Sequence, residues 1–329
     1  MNISYLLFMM MLIVSTILTI SSESWLGMWM GLEMNLISFI PLLYKKKMNS
    51  ASESCIIYFL IQSMGSILML ISVLMQFSIL SFMDFSKIMN YMLIMSMMIK
   101  LGMAPFHFWF IEILNKMQWM DCMILMTWQK IAPLTILSYT SCNCPPMIFM
   151  ITIIMGAIGG FNQTSIRKIM GFSSINHLGW ITICMKLHNN LWIIYLFLYS
   201  MIIIMMTMLF NMYSSYYLNQ LINMNNNMSE KLLISSLFMS LGGLPPFIGF
   251  LPKWMVIQSL ITSNSFFILM IMIMSSLILL FFYLRLVSTM MLINPIYFKW
   301  MVNYKLSLLL IVMFNLFNMS LPIMGTFFF

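Results

Sequence analysis

Apolar runs of about twenty residues recur along the whole of this 329-residue chain, and each is long enough to cross roughly 30 Å of hydrocarbon. A single buried core cannot absorb so many of them. The charge content agrees: 7% of the residues are charged, against about 25% in a soluble globular protein. The bilayer is therefore the solvent, and we expect an all-α integral membrane protein.

Hydropathy divides the chain into about eleven spans, at 3–20, 25–43, 54–80, 87–114, 117–140, 147–163, 169–187, 190–217, 230–262, 265–290 and 305–325. The first lacks a basic leading region and a small-residue cleavage site, so it reads as a span rather than a leader. The ninth is too long for one straight crossing and carries Gly242, Gly243, Pro245 and Pro246 in its middle. It reads as one broken helix, which sets the parity of the later spans. The expected organisation is a single membrane domain over 1–329, with a first five-helix unit at 3–140, a second at 147–290 and a trailing helix at 305–325.

With eleven crossings the loops alternate in side. One side collects Lys45, Lys46, Lys47, Lys116, Arg167, Lys168, Lys231, Arg285, Lys299 and Lys305, and the other only Lys87 and Lys186. This bias places the N-terminus on the inner, matrix or cytoplasmic, side and the C-terminus outside. The net charge of +8 is then topological and does not imply a nucleic-acid partner. The longest loop, around 219–230, is an Asn-rich linker too short for an extramembrane domain.

Five scattered cysteines, Cys55, Cys122, Cys142, Cys144 and Cys184, suggest neither a disulfide framework nor a metal site. Cys142 and Cys144 flank one residue beside Pro145 and Pro146, a spacing that suits a turn better than a redox pair. The 45 methionines are either interchangeable apolar filler or the mark of an AT-rich organellar genome that reads AUA as Met, and we favour the second.

Four ionisable residues fall inside spans: Glu33, Lys100, Lys130 and Lys253. Each costs about 2.5–3.5 kcal/mol at a helix centre on insertion scales. Snorkelling explains lysines near helix ends, but Lys100 and Lys130 lie close to mid-span. The backbone beside them is irregular too. Pro105 cannot donate to the Leu101 carbonyl, Pro133 frees that of Gln129, and Gly242, Gly243, Pro245 and Pro246 precede Lys253. Free carbonyls at membrane depth persist only where protein or water satisfies them, and water beside a lysine is what a proton path requires. The Leu-Gly-x-x-Pro break recurs in the fourth and ninth spans, an odd offset that implies two units of opposite orientation, the pattern of inverted-repeat transporters.

Other features carry less. Gly27-x-x-x-Gly31 and Gly156-x-x-x-Gly160 suit close helix packing. Of His107, His177 and His188, the first, just past Pro105, is a candidate proton relay. No histidine pair suits bis-histidyl haem ligation, and neither a phosphate-binding loop nor a nucleophile elbow occurs.

Gly-Leu-Glu33-Met-Asn, Ile-Lys100-Leu-Gly-Met-Ala-Pro-Phe-His107-Phe-Trp, Trp-Gln-Lys130-Ile-Ala-Pro and Leu-Gly-Gly-Leu-Pro-Pro-Phe-Ile-Gly-Phe-Leu-Pro-Lys253-Trp together resemble the antiporter-like membrane subunits of mitochondrial NADH:ubiquinone oxidoreductase, respiratory complex I. The resemblance runs from the first span to the last, and length and methionine content resemble arthropod members. It implies a proton-translocating subunit of the mitochondrial inner membrane. Glu33 and Lys100 would form an ion pair, Lys130 would be the central relay and Lys253 the lysine toward the exit. It also implies no cofactor in this chain, since NADH, FMN, iron–sulfur clusters and ubiquinone belong to other subunits. The partners implied are membrane-arm subunits, neighbouring antiporter-like subunits among them, and phospholipid such as cardiolipin. Bacterial relatives have three further helices at the start. A stand-alone cation/proton antiporter is the rival that buried lysines and broken helices also suit, whereas a purely structural scaffold leaves four buried charges unexplained.

Overall fold

The computed structural model describes residues 3–44, 49–78, 83–140, 145–187, 190–223, 228–292 and 308–320. Cys142, Cys144, His188 and the basic residues Lys45, Lys46, Lys47, Lys299 and Lys305 lie outside the described residues. Regular structure among the described residues is helical, apart from an isolated antiparallel bridge between Ser165 and Tyr217. The chain falls into two compact units, Met1–Ile148 and Phe149–Phe329.

The first unit holds α1 (Ile3–Ser21), α2 (Trp25–Leu43), α3 (Asn49–Ser78), α4 (Met83–Leu101), α5 (Phe108–Lys116), α6 (Trp119–Met126) and α7 (Trp128–Thr140). The Ser24 side chain accepts from Gly27 N at 3.2 Å and so starts α2. α2 packs on α1 through small residues: a Cβ on Gly31 would strike Thr19, and Ser15 and Thr19 are buried against it. α3 packs on α2, α4 and α5, and α7 on α4 and α2. Residues from these helices therefore converge near the middle of the unit.

The second unit takes up α8 (Pro146–Gly159), which begins at the junction, then α9 (Ile166–Leu187), α10 (Leu191–Met212), α11 (Leu218–Asn223), α12 (Met228–Gly242), α13 (Phe250–Thr262), α14 (Phe266–Leu292) and α15 (Leu308–Asn318). A Cβ on Gly156 would lie 2.6 Å from Asn176 N, and Asn176 Nδ2 donates to Ile153 O at 2.9 Å, so α8 and α9 meet backbone to backbone. α13 packs on α9, α10 and α14.

Among the described residues α1, α2, α3, α10 and α14 are each long and apolar enough to cross a membrane unaided. The spans expected at 87–114 and 230–262 are each divided into two helices, at 102–107 and at 243–249. The span expected at 117–140 is divided as well, but not at Pro133, where the sequence suggests a helix break. That interruption is at Thr127 (φ −115°, ψ −72°), while Pro133 lies inside α7. The proline removes the donor for the Gln129 carbonyl, and at the interruption Thr127 Oγ1 donates to Met123 O at 2.7 Å. The Asn-rich linker is also shorter than expected, since α11 and α12 occupy both of its ends.

Candidate functional site

Both long breaks are closed by the same backbone device. After α4, Gly102 adopts φ +68°, its N–H reaches Ile99 O at 3.2 Å, and Met103 N reaches Met98 O at 3.0 Å. After α12, Gly243 adopts φ +78°, its N–H reaches Ser240 O at 3.0 Å, and Leu244 N reaches Met239 O at 3.2 Å. These are Schellman closures, which suit glycine because the left-handed residue has no Cβ to crowd its own carbonyl. Each satisfies two of the last four helix carbonyls and leaves the final two without a backbone donor. The orphans are those of Lys100 and Leu101 in one unit and of Leu241 and Gly242 in the other.

In the first unit Gln62 Nε2, from α3, donates to Lys100 O at 3.1 Å. Lys100 itself is 7% exposed, and its stem crosses α3 where Gly65 leaves room: a Cβ there would lie 2.9 Å from Lys100 Cγ. Glu33, on α2, acts on Lys100 through its charge. Lys130, in the first turn of α7, is 3% exposed with Nζ 5.5 Å from the centre of the Phe110 ring, within cation–π range. Both lysines line one cavity, part of it open to the outside. Asn35, Tyr58, Gln62 and Gln129 supply the rest of its polar lining. Three of these are linked across three helices: Tyr58 Oη donates to Gln129 Oε1 at 3.3 Å, and Gln129 Nε2 donates to Asn35 Oδ1 at 2.9 Å. A cavity lined on several sides by hydrogen-bonding groups is the kind that holds water. His107 lies in the break, buried, hydrogen-bonded to the Pro105 backbone, with its ring tilted against that of Phe108. Pro105 lies in the same turns.

In the second unit Lys253 is 3% exposed. Its Nζ is 2.8 Å from Gly242 O and 3.5 Å, a longer contact, from Leu241 O, with the Trp180 ring centre 5.9 Å away. The helix donors for those two carbonyls would have been the amides of residues 245 and 246, and both are prolines. The ammonium takes their place. One turn before Trp180 on α9, the His177 Nδ1 is 2.9 Å from Tyr195 Oη and its ring centre is 5.0 Å from that of Tyr199.

The structure thus sets Lys100 and Lys130 on one cavity, with Glu33 acting on Lys100 through its charge, and sets Lys253 on the carbonyl end of α12. Gln62, Tyr58, Asn35 and Gln129 escaped sequence reasoning as functional groups. Polar residues of this kind in otherwise apolar helices were the available signal, since each must find a partner at depth. Among the described residues no group of three or more His, Cys, Asp or Glu side chains is placed to hold a metal.

The chain has relatives among known proteins. Residues 22–279 match the family described as NADH:quinone oxidoreductase/Mrp antiporter, transmembrane. Relatives named NADH-ubiquinone oxidoreductase chain 2 include one from Anopheles gambiae, 45% identical over 92% of this chain and 90% of that protein. Another, from Aedes aegypti, is 46% identical over 95% of both chains. Among solved structures, a chain of respiratory complex I from Thermus thermophilus superposes with a TM-score of 0.86 at 17% identity, covering 99% of this chain and 79% of that one. A chain of the Mrp complex from Dietzia superposes with a TM-score of 0.77 at 15% identity, over 88% and 61%. At such identities the last two likenesses speak for the fold.

Proposed function

This chain belongs to the NADH:quinone oxidoreductase/Mrp antiporter transmembrane family, and from that premise we propose that it conducts protons as a core membrane-arm subunit of NADH:ubiquinone oxidoreductase, complex I. It is a multi-pass inner-membrane protein, and the enzyme it serves is a proton-translocating oxidoreductase. NADH oxidation and ubiquinone reduction, with their flavin and iron–sulfur centres, take place in other subunits. Its own part is a chain of Glu33, Lys100, Lys130, Lys253 and intervening water, with His107 as an additional relay.

The observation that carries this reading is the cavity that Lys100 and Lys130 line together with Asn35, Tyr58, Gln62 and Gln129. A proton arriving at either ammonium finds hydrogen-bonding groups toward the other. The charge of Glu33 gives Lys100 a counter-ion, which offsets part of its desolvation. Opening that pair makes the Lys100 proton available to Lys130. The matching Schellman closures, five spans apart, support two inverted five-helix units and a trailing helix, eleven crossings in all. With that count, the bias of basic residues supports an N-terminus in the matrix and a C-terminus in the intermembrane space. Adjacent antiporter-like subunits and phospholipid, cardiolipin included, cover the lipid-facing helices.

Lys130→Ala tests the reading, because a methyl group cannot carry a proton. Assembled mutant complex is expected to lose coupled proton pumping, with Lys130→Arg failing similarly since Arg stays charged. Coupled rates equal to wild type would make Lys130 a passive cavity lining. Native electrophoresis separates the rival, a stand-alone antiporter: co-migration with NADH dehydrogenase activity is expected, and a small species alone would favour the antiporter.

A further inference from the structure

The cap on the end of α12 is the side chain that carries the proton. We propose that Lys253 closes the break in α12 only while it is protonated, so that its deprotonation loosens the Gly242–Gly249 segment, whereas the break after α4 is held by Gln62 whatever the charge state of Lys100. Gln62 and Gly243 are thereby positioning residues. This inference rests on the reading of Lys253 as a proton carrier.

The two breaks differ in what serves their orphan carbonyls. Both Schellman closures leave two carbonyls, but in the first unit a neutral amide serves Lys100 O at 3.1 Å, and in the second an ammonium serves Gly242 O at 2.8 Å and Leu241 O at 3.5 Å. An ammonium at a helix C-terminus adds charge–dipole attraction to its hydrogen bonds. When one N–H bond breaks and its proton passes to water, the amine keeps two hydrogens and gains a lone pair. The charge assistance is gone, and a third donor with it. No backbone donor can take over, because residues 245 and 246 are prolines. Gly243 makes the approach possible: a Cβ there would lie 2.8 Å from Lys253 Cδ and 2.9 Å from Nζ. The Gln62 amide has no proton to give up at any working pH, so the first break cannot respond in this way.

Hydrogen exchange on the intact complex, monitored by mass spectrometry, reads the two breaks separately. Lys253→Met removes both cap and proton, and is expected to speed exchange at the Gly243 and Leu244 amides about tenfold, the size of one charge-assisted hydrogen bond lost. Lys253→Gln keeps a neutral donor without the charge and is expected to recover only a small part of the protection, as the neutral amine would, while coupled pumping stays lost. In the wild-type complex, turnover with NADH and quinone is expected to speed exchange at Gly243 and Leu244 but not at Gly102 and Met103. That arm needs no variant to assemble. Equal exchange in Lys253→Met and wild type, or no difference between the two breaks during turnover, would overturn the cap. Unchanged pumping in Lys253→Gln overturns the proton-carrier reading instead, and the exchange data then judge the cap alone.

Discussion

The break after α4 and the break after α12 end in the same pair of backbone hydrogen bonds, and from there they diverge. Counted from the left-handed glycine, the first unit has Lys100 two residues before it, where the second has the apolar Leu241. At the position of Lys253 the first unit has Glu112, an exposed residue paired with Lys116. The ionisable group thus sits before the break in one unit and beyond it in the other. Where Lys100 is carried by the helix that ends, Lys253 reaches back to a helix that has already ended. The backbone of a broken helix is therefore a scaffold that accepts a charge on either side. Which side is used decides whether the charge also caps the helix.

The sharpest way to break the comparison is at Gly249. A Cβ there would run into the Ser240 carbonyl, backbone against backbone, because the returning segment folds onto the end of α12. Its counterpart in the first unit, counted from the same glycine, is Phe108, which is exposed. Gly249→Ala is expected to cost about 3 kcal/mol or more and to abolish assembly on native gels, while Phe108→Ala leaves assembly intact. Equal assembly of the two would mean that the second break does not need this close return.

Next in size are the two left-handed glycines. Gly102→Ala and Gly243→Ala each force an L-residue to positive φ, at about 1–2 kcal/mol. They differ in what the new methyl meets. At 102 it lies 2.9 Å from Phe110 Cβ, beneath the ring that faces Lys130, and at 243 it lies against Lys253 itself. Coupled pumping in assembled complex is expected to fall further for Gly243→Ala, and equal losses would show that strain alone is being measured. Gln62→Leu ranks below them, expected to cost about 1–2 kcal/mol for the unpaired Lys100 carbonyl. Thermal inactivation of the complex reads it, and a Gln62→Glu variant that restores nothing confirms that an N–H donor is required.

These contrasts also mark what could be seen in the sequence. Proline and glycine act on their own backbone, so the positions of both long breaks were legible. The Leu-Gly-x-x-Pro match nonetheless pairs Gly102 with Gly242, whereas the backbone pairs it with Gly243, because only φ reveals which glycine turns left. The buried charges were legible for a similar reason, since an ionisable residue within an apolar run is costly wherever it points. Their partners were not. Gln62 meets the Lys100 carbonyl, and Gln129 meets Tyr58 and Asn35, only because three helices pack together. Thr127 gave no warning either, as threonine is common within helices, whereas Pro133, the residue that did suggest a break, lies inside α7.

The smallest effect is expected at Glu112, and it sharpens the comparison by being small. Glu112 occupies in the first unit the place of Lys253, so a broken helix that needed a charge there would suffer from Glu112→Gln. Instead its carboxylate is exposed, 2.8 Å from Lys116 Nζ one turn away, and Glu53 holds the same ammonium from 3.0 Å. An exposed i,i+4 pair contributes about 0.3–0.5 kcal/mol. The two carboxylates raise the Lys116 ammonium above its ordinary value, Glu112 foremost. A cation with a raised folded-state value lends its stability below the unfolded value and loses it only as pH climbs through the folded one. Nothing is therefore expected to change between about pH 6 and pH 9, where both states of Lys116 are fully charged. Glu112→Gln should assemble as wild type, pump as wild type and show a flat ratio to wild-type stability across that range. A pumping defect would place a working charge beyond the break in both units, and the asymmetry between Lys100 and Lys253 would no longer separate them.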